Sequence, residues 1–144
     1  MKILFDSSVL IAAFVESHPK HNLALSFLLK AKNKEFELLV SSHTILEIYS
    51  VLTSAPFIPK ITPQIAKQLI ENNIKAIAKI IYLTGNDYFR LIEKMSNSNF
   101  SGGIVYDALI IECALNAKAD EIITLNTKDF LKLTTDISLK VNTV

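Results

Sequence analysis

KILFDSSVLIAAFV, residues 2 to 15, decides the fold class. A short apolar run, KILF, stops at Asp6, and after Ser7 and Ser8 the apolar residues resume as VLIAAFV, which can continue as a helix. The pattern predicts strand, turn, helix. Pro19 interrupts the chain, and Leu23, Leu25, Phe27, Leu28 and Leu29 then supply a helix face. ELLVS at 37–41 predicts a second strand, and Ser42 is placed to cap the helix that follows. In that helix Ile45, Leu46, Ile48, Tyr49, Val51 and Leu52 form a broad apolar face, with Glu47 set among them.

The second half repeats this alternation. Thr62 before Pro63 opens a helix expected to reach about Asn73, because proline at the first helical position forfeits no needed donor. AKIIYLT, residues 78–84, predicts a third strand. Thr84 with Asp87 three residues on resembles a capping box ahead of DYFRLIEKM. NSNFSGG at 97–103 is a loop, a helix carries YDALIIECALNA from about Val105, and EIITL at 121–125 is a fourth strand. NTKDF reads as a turn and ISLKV as a short edge strand. Together these predict a three-layer α/β/α fold with a central parallel sheet of four to five strands, in a single domain over residues 1–144.

Composition narrows the function classes. Half of the 144 residues are apolar, and the mean hydropathy is +0.34. The longest strictly apolar run, Val9 to Val15, is far short of the roughly eighteen residues a membrane span needs. The surplus is read as a filled core plus one exposed apolar face that pairs with another subunit. MKILFD lacks the apolar centre of a secretory signal, so a cytoplasmic protein is expected. The one cysteine, Cys113, agrees with a reducing compartment and reads as a buried helix residue. Fifteen basic against fourteen acidic side chains give a net charge of +1 and no global footprint for nucleic acid. Lys60, Lys67, Lys75, Lys79, Arg90 and Lys94 are read as a solvated face. Three glycines, Gly85, Gly102 and Gly103, make neither a dinucleotide-binding turn nor a P-loop, and no serine-hydrolase elbow is present. His18 and His21 read as loop residues and His43 as a structural group.

Ligands of open parallel sheets bind beyond the carboxyl ends of the strands, which draws attention to Asp6, Glu47, Asp107, Asn126 and Asp129. Each has a plainer explanation. Asp6 could cap a helix, Glu47 could sit on a helix rim, Asp107 could complement a helix dipole, and Asn126 and Asp129 could organise a turn. As a group they point elsewhere, because three carboxylates converging at one sheet end repel unless a cation or a shared proton compensates them. An all-oxygen pocket suits Mg²⁺ or Mn²⁺.

FDSSVLIAAF, SSHTILEIYSVLT, GGIVYDALIIECAL and ITLNTKDF, in that order, resemble the PIN-domain family, in particular the VapC-type toxins of bacterial and archaeal toxin–antitoxin pairs. The resemblance spans essentially the whole chain. It implies an endoribonuclease that depends on Mg²⁺ or Mn²⁺, forms a homodimer and is inhibited by a small cognate antitoxin inserted into the active-site groove. By this resemblance Asp6, Asp107 and Glu47 are the metal ligands, and Asn126 stands where the family often has aspartate. Ser8 and Thr124 become hydrogen-bonding supports, and Asp129 a partial substitute for the missing acid. Two other readings stay open. One is a catalytically weak interaction module on the same scaffold, motivated by Asn126 and the apolar surplus. The other is a phosphoacceptor domain using Asp6, which needs a second acid that Ser7 and Ser8 do not provide.

Overall fold

The computed structural model describes residues 1–144. In chain order the elements are β1 (Lys2–Phe5), α1 (Ser7–Phe14), α2 (His21–Lys32), β2 (Glu37–Ser41), α3 (Ser42–Ser54) and α4 (Pro63–Ile70). After a π-type turn at Glu71–Lys75 come β3 (Lys79–Ile81), α5 (Gly85–Asn97), α6 (Ile104–Asn116), β4 (Glu121–Ile123), α7 (Thr127–Leu133) and β5 (Lys140–Asn142). The strands form one sheet in the order β3-β2-β1-β4-β5, every pair parallel.

Side chains alternate across a strand, and here both faces are covered. Ile3, Phe5, Leu38, Val40 and Ile123 point to one face, where α1 to α4 bring Val9, Leu10, Leu28, Ile48, Leu52 and Ala66. Leu4, Leu39 and Ile122 point to the other, where α5 to α7 bring Leu91, Leu109, Ile110, Cys113 and Phe130. The strands therefore read as continuous apolar runs, and the three layers expected from the sequence are present.

Helix starts follow local chemistry. Thr62 accepts from the Ile65 amide at 3.2 Å, with Pro63 in the first turn. The Thr84 hydroxyl accepts from the Asp87 amide at 3.2 Å, and the Asp87 carboxylate accepts from the Thr84 amide at 2.8 Å, a complete capping box.

Several boundaries differ from the sequence reading. The cap of α3 is Ser41, not Ser42: its backbone is still extended, and its hydroxyl accepts from the Thr44 amide at 3.1 Å. β3 and β4 are shorter than expected, and β5 begins three residues after the predicted ISLKV start, at Lys140. His21 is the first residue of α2 and not part of a loop. NTKDF is not a turn but opens α7. The three-residue spacing of Phe130, fully buried, and Leu133 makes an apolar helix face that outweighs the turn preference of Asn126 and Asp129.

Leu39 is fully buried in β2, between β1 and β3. Leu39→Ala is expected to lower the unfolding free energy by about 2–5 kcal/mol in urea titration. A loss below about 1 kcal/mol would mean this part of the sheet is not close-packed.

Candidate active site

In this strand order the chain leaves β1 toward β2 on one side, while β4 lies on the other. The carboxyl ends of β1 and β4 thus form the crevice where connections diverge and ligands of such sheets bind. Asp6 follows β1 directly, and its amide donates to the Ile123 carbonyl at 3.0 Å, carrying the β1/β4 pairing one residue further. Thr124 follows β4 in the same way.

Asp6 occupies the N-cap position of α1, yet its side chain accepts from no helix amide. Its Oδ2 instead accepts from the Ser8 hydroxyl at 2.8 Å and the Thr124 hydroxyl at 2.9 Å. Both hydroxyls are oriented in turn, Ser8 Oγ accepting from the Leu125 amide and Thr124 Oγ1 from the Asn126 amide, each at 3.0 Å. The helix-cap explanation of Asp6 therefore fails, and Ser8, Asp6 and Thr124 form one network across the β1/β4 seam, with Asp6 and Thr124 buried and Ser8 partly so. Asp6 Oδ1 lies 3.5 Å from Ser7 Oγ, whose proton is better placed for Glu47 Oε1 at 3.0 Å. Ser7 so links the first acid to the helix glutamate. The sequence reading did not single it out, although a second hydroxyl in the first turn beside Asp6 was the available signal.

Glu47 is half-buried, and its other oxygen lies 3.5 Å from His43 Nε2 one turn earlier in α3. The His43 ring lies parallel to that of Tyr106, with centroids 5.1 Å apart and planes 3° apart. His43 is thus tied to the site, a connection that its place near a helix start did not disclose. Asp107, in the first turn of α6, is half-buried. Its carboxyl is pushed up to about 6, first by loss of solvent and then by the charges of Asp6, Asp129 and Glu47, in that order. The Asn126 amide nitrogen donates to Asp129 Oδ2 at 3.0 Å, and Lys132 Nζ lies 3.8 Å from Asp129 Oδ1.

The structure thus joins Asp6, Ser7, Ser8, Glu47 and Thr124 by hydrogen bonds, and couples Asp107 to the acids electrostatically. Asn126 is attached through Asp129. No three His, Cys, Asp or Glu side chains already converge as a formed ligand set. Their chemistry nevertheless fits a hard divalent cation, since every available donor among Asp6, Glu47, Asp107 and Asp129 is a carboxylate oxygen. Of the basic side chains read as a solvated face, three are engaged elsewhere: Lys67 with Glu71, Arg90 with Asp87 and Lys94 with Glu112.

Comparison with known proteins agrees with this architecture. The PIN domain family profile matches residues 3–135. Ribonuclease VapC40 of Mycobacterium tuberculosis is 30% identical over 105 residues, covering 73% of this chain and 72% of that protein. Among solved structures, VapC20 of M. tuberculosis, a toxin described as cleaving the sarcin–ricin loop, superimposes with a TM-score of 0.71 at 11% identity, over 95% of this chain and 98% of the other. VapBC2 from Rickettsia felis, solved on a promoter DNA fragment, gives 0.66 at 18% identity over 100% and 99% of the two chains. VapBC-1 from nontypeable Haemophilus influenzae gives 0.62 at 18% identity over 98% and 96%. Sheet order, hydroxyl-clamped aspartate and sequence similarity converge: the chain belongs to the PIN-domain family and is of the VapC type.

Proposed function

We propose that this chain is a metal-dependent endoribonuclease, the toxin of a type II toxin–antitoxin pair, built as one PIN-like domain that hydrolyses RNA phosphodiester bonds. The observation that carries the reading is the gathering of Asp6, Glu47, Asp107 and Asp129 at the β1/β4 switch point, where burial first and the neighbouring acids second hold the Asp107 carboxyl up at about 6. Similarity to VapC40, a ribonuclease, supports the substrate class.

Bound there, Mg²⁺ or Mn²⁺ supplies Lewis acidity toward the phosphate and an acidified water. Asp6, with Oδ2 saturated by Ser8 and Thr124, presents Oδ1 as a ligand, and Asp107 is the second principal ligand. Glu47, steered by Ser7 and His43, completes the ligand set or positions the attacking water. Asn126 contributes its amide oxygen and orients Asp129, which restores part of the negative charge that an aspartate at 126 would carry. A second cation is accordingly held more weakly than the first.

The two VapBC structures support an antitoxin partner. A mixed groove between α3 and α4, with Ile45, Leu46, Tyr49 and Ile70 as its apolar part and Gln64, Lys67 and Glu71 as its polar part, offers a seat for it. Phe89 and Ile92, one turn apart on α5 and both well exposed, form the face proposed to close a homodimer. The proposed site of action is the cytoplasm. The rival reading, a catalytically weak interaction module, draws on the neutral Asn126 and on the acids' not being gathered into a formed ligand set.

Purified chain freed of antitoxin should cleave a panel of structured RNAs with Mg²⁺ or Mn²⁺ and not with chelator. An Asp6→Ala, Asp107→Ala variant should lose at least about a hundredfold in rate, since even removing groups that only orient ligands costs ten- to a hundredfold. Cleavage equal to the parent's would sink the reading in favour of a contaminating nuclease.

The raised Asp107 also makes a stability prediction. A carboxyl whose folded-state pKa lies above its unfolded value contributes stability that is fully present below about 3.8 and is lost as pH rises through about 6. Discounted for partial exposure, the cost at neutral pH is on the order of 1 kcal/mol. In chelator at pH 7.5, Asp107→Asn should therefore melt about 3 °C higher than the parent, with the gap closing toward pH 4. A lower melting temperature for the variant at pH 7.5 contradicts the crowding.

A further inference from the structure

Two observations at the rim of the carboxylate pocket are not used by the hydrolysis chemistry. Tyr106 is an exposed aromatic, with 55% of its surface open, and it directly precedes Asp107 in the first turn of α6. One face of its ring is covered by the parallel ring of His43, whose Nε2 lies 3.5 Å from a Glu47 oxygen. With that face covered, the exposure belongs to the outer face and edge of the phenol. α3 and α6 thus hold a rigid two-ring step with one open π-face, a single residue along the chain from a principal acid.

An energetic gap makes such a step useful. The pocket is acidic and repels phosphate, the net charge is only +1, and Lys132, on α7 with Asp129, is paired with that acid. Counterion release, which dominates most nucleic-acid binding, is therefore opposed at the pocket itself. Base–aromatic stacking supplies affinity without charge, and single-stranded RNA is commonly held by unstacked bases laid on aromatic rings. A pre-stacked ring loses little freedom when a base lands on it.

Resting on the ribonuclease reading, we infer that Tyr106, backed by His43, is a stacking platform for a nucleobase adjoining the scissile phosphate, so that the enzyme favours RNA whose bases are unpaired at the cut. His43 acts here as a positioning residue, keeping the platform and Glu47 in register. The contribution is sequence-tolerant and nearly independent of salt, unlike one from lysine or arginine.

The test uses the intact chain and fluorescent single-stranded homopolymers of A, C and U, bound in chelator, alongside cleavage of an unstructured RNA with Mn²⁺. Tyr106→Leu keeps apolar bulk but removes the π-face. It should weaken binding by roughly five- to a hundredfold, the span of base–aromatic stacking. The same factor should appear at low and high salt and should fall on KM while kcat stays within about threefold. Tyr106→Phe and Tyr106→Trp should restore affinity, and 2-aminopurine beside the cut should be quenched by the parent but not by Tyr106→Leu. Equal affinity of parent and Tyr106→Leu overturns the proposal, as does a difference that vanishes at high salt. So does a Tyr106→Leu effect confined to antitoxin binding, which would make the step a protein contact. If the parent binds RNA in a Tyr106-dependent way but never cleaves it, the platform stands and the ribonuclease reading falls. If it neither binds nor cleaves, both fall.

Discussion

Two hydroxyls donate to one oxygen of Asp6, and much of the site depends on that clamp. Ser8 reaches it from α1 and Thr124 from the end of β4, each hydroxyl held in turn by a backbone amide two residues or less from Thr124. The network ties the start of α1 to the end of β4 at the point where the sheet's connections diverge. A carboxylate with one oxygen fixed in this way has little rotational freedom and presents the other to the crevice. Ser7 passes that constraint on to Glu47, and Glu47 lies against His43. Parallel topology delivers the acids to one end, and hydroxyl chemistry decides which way they face.

Like charges gathered by a fold in this manner carry an electrostatic cost, and the cost falls on the member least supported by donors. Asp107 is that member: burial and its acidic neighbours raise its proton affinity. The fold tolerates this because the two apolar layers beneath the site are continuous, the one through Leu10, Ile48 and Ile123 and the other through Leu4, Ile122 and Phe130. In the proposed function a divalent cation would offset both burial and repulsion, so the acids that cost stability at neutral pH would be the ones to hold the ion. The neutral Asn126 moderates the effect, and its amide turns the remaining charge to Asp129, one turn into α7.

The layer architecture was legible because its signals are periodic or local. Strand runs of three to five apolar residues, the proline after Thr62 and the Thr84–Asp87 box each state their structure within a few positions. α7 was not legible as a helix, because Asn126 and Asp129 carry turn chemistry while the deciding apolar pair, Phe130 and Leu133, is too short to register as a period. At the site, Asp6, Glu47 and Asp107 could be picked out by their places at strand ends and helix starts. Ser7, His43 and Tyr106 could not. Their contacts join residues 40 and 63 positions apart, 7 with 47 and 43 with 106, and such distances leave no trace in local pattern. Asn126 stood out by its place at the end of the predicted fourth strand, whereas its bond to Asp129 needed the fold.

The central claim is that uncompensated carboxylates at this switch point form a cation site. Carbon-detected NMR titration of the Asp107 side-chain carboxyl tests it most directly, first in chelator and then with Mg²⁺. The account predicts a midpoint near 6 in chelator. It also predicts a clear fall in that midpoint when Mg²⁺ is added, as the cation replaces the proton. A midpoint in the ordinary aspartate range that Mg²⁺ leaves unmoved would contradict it.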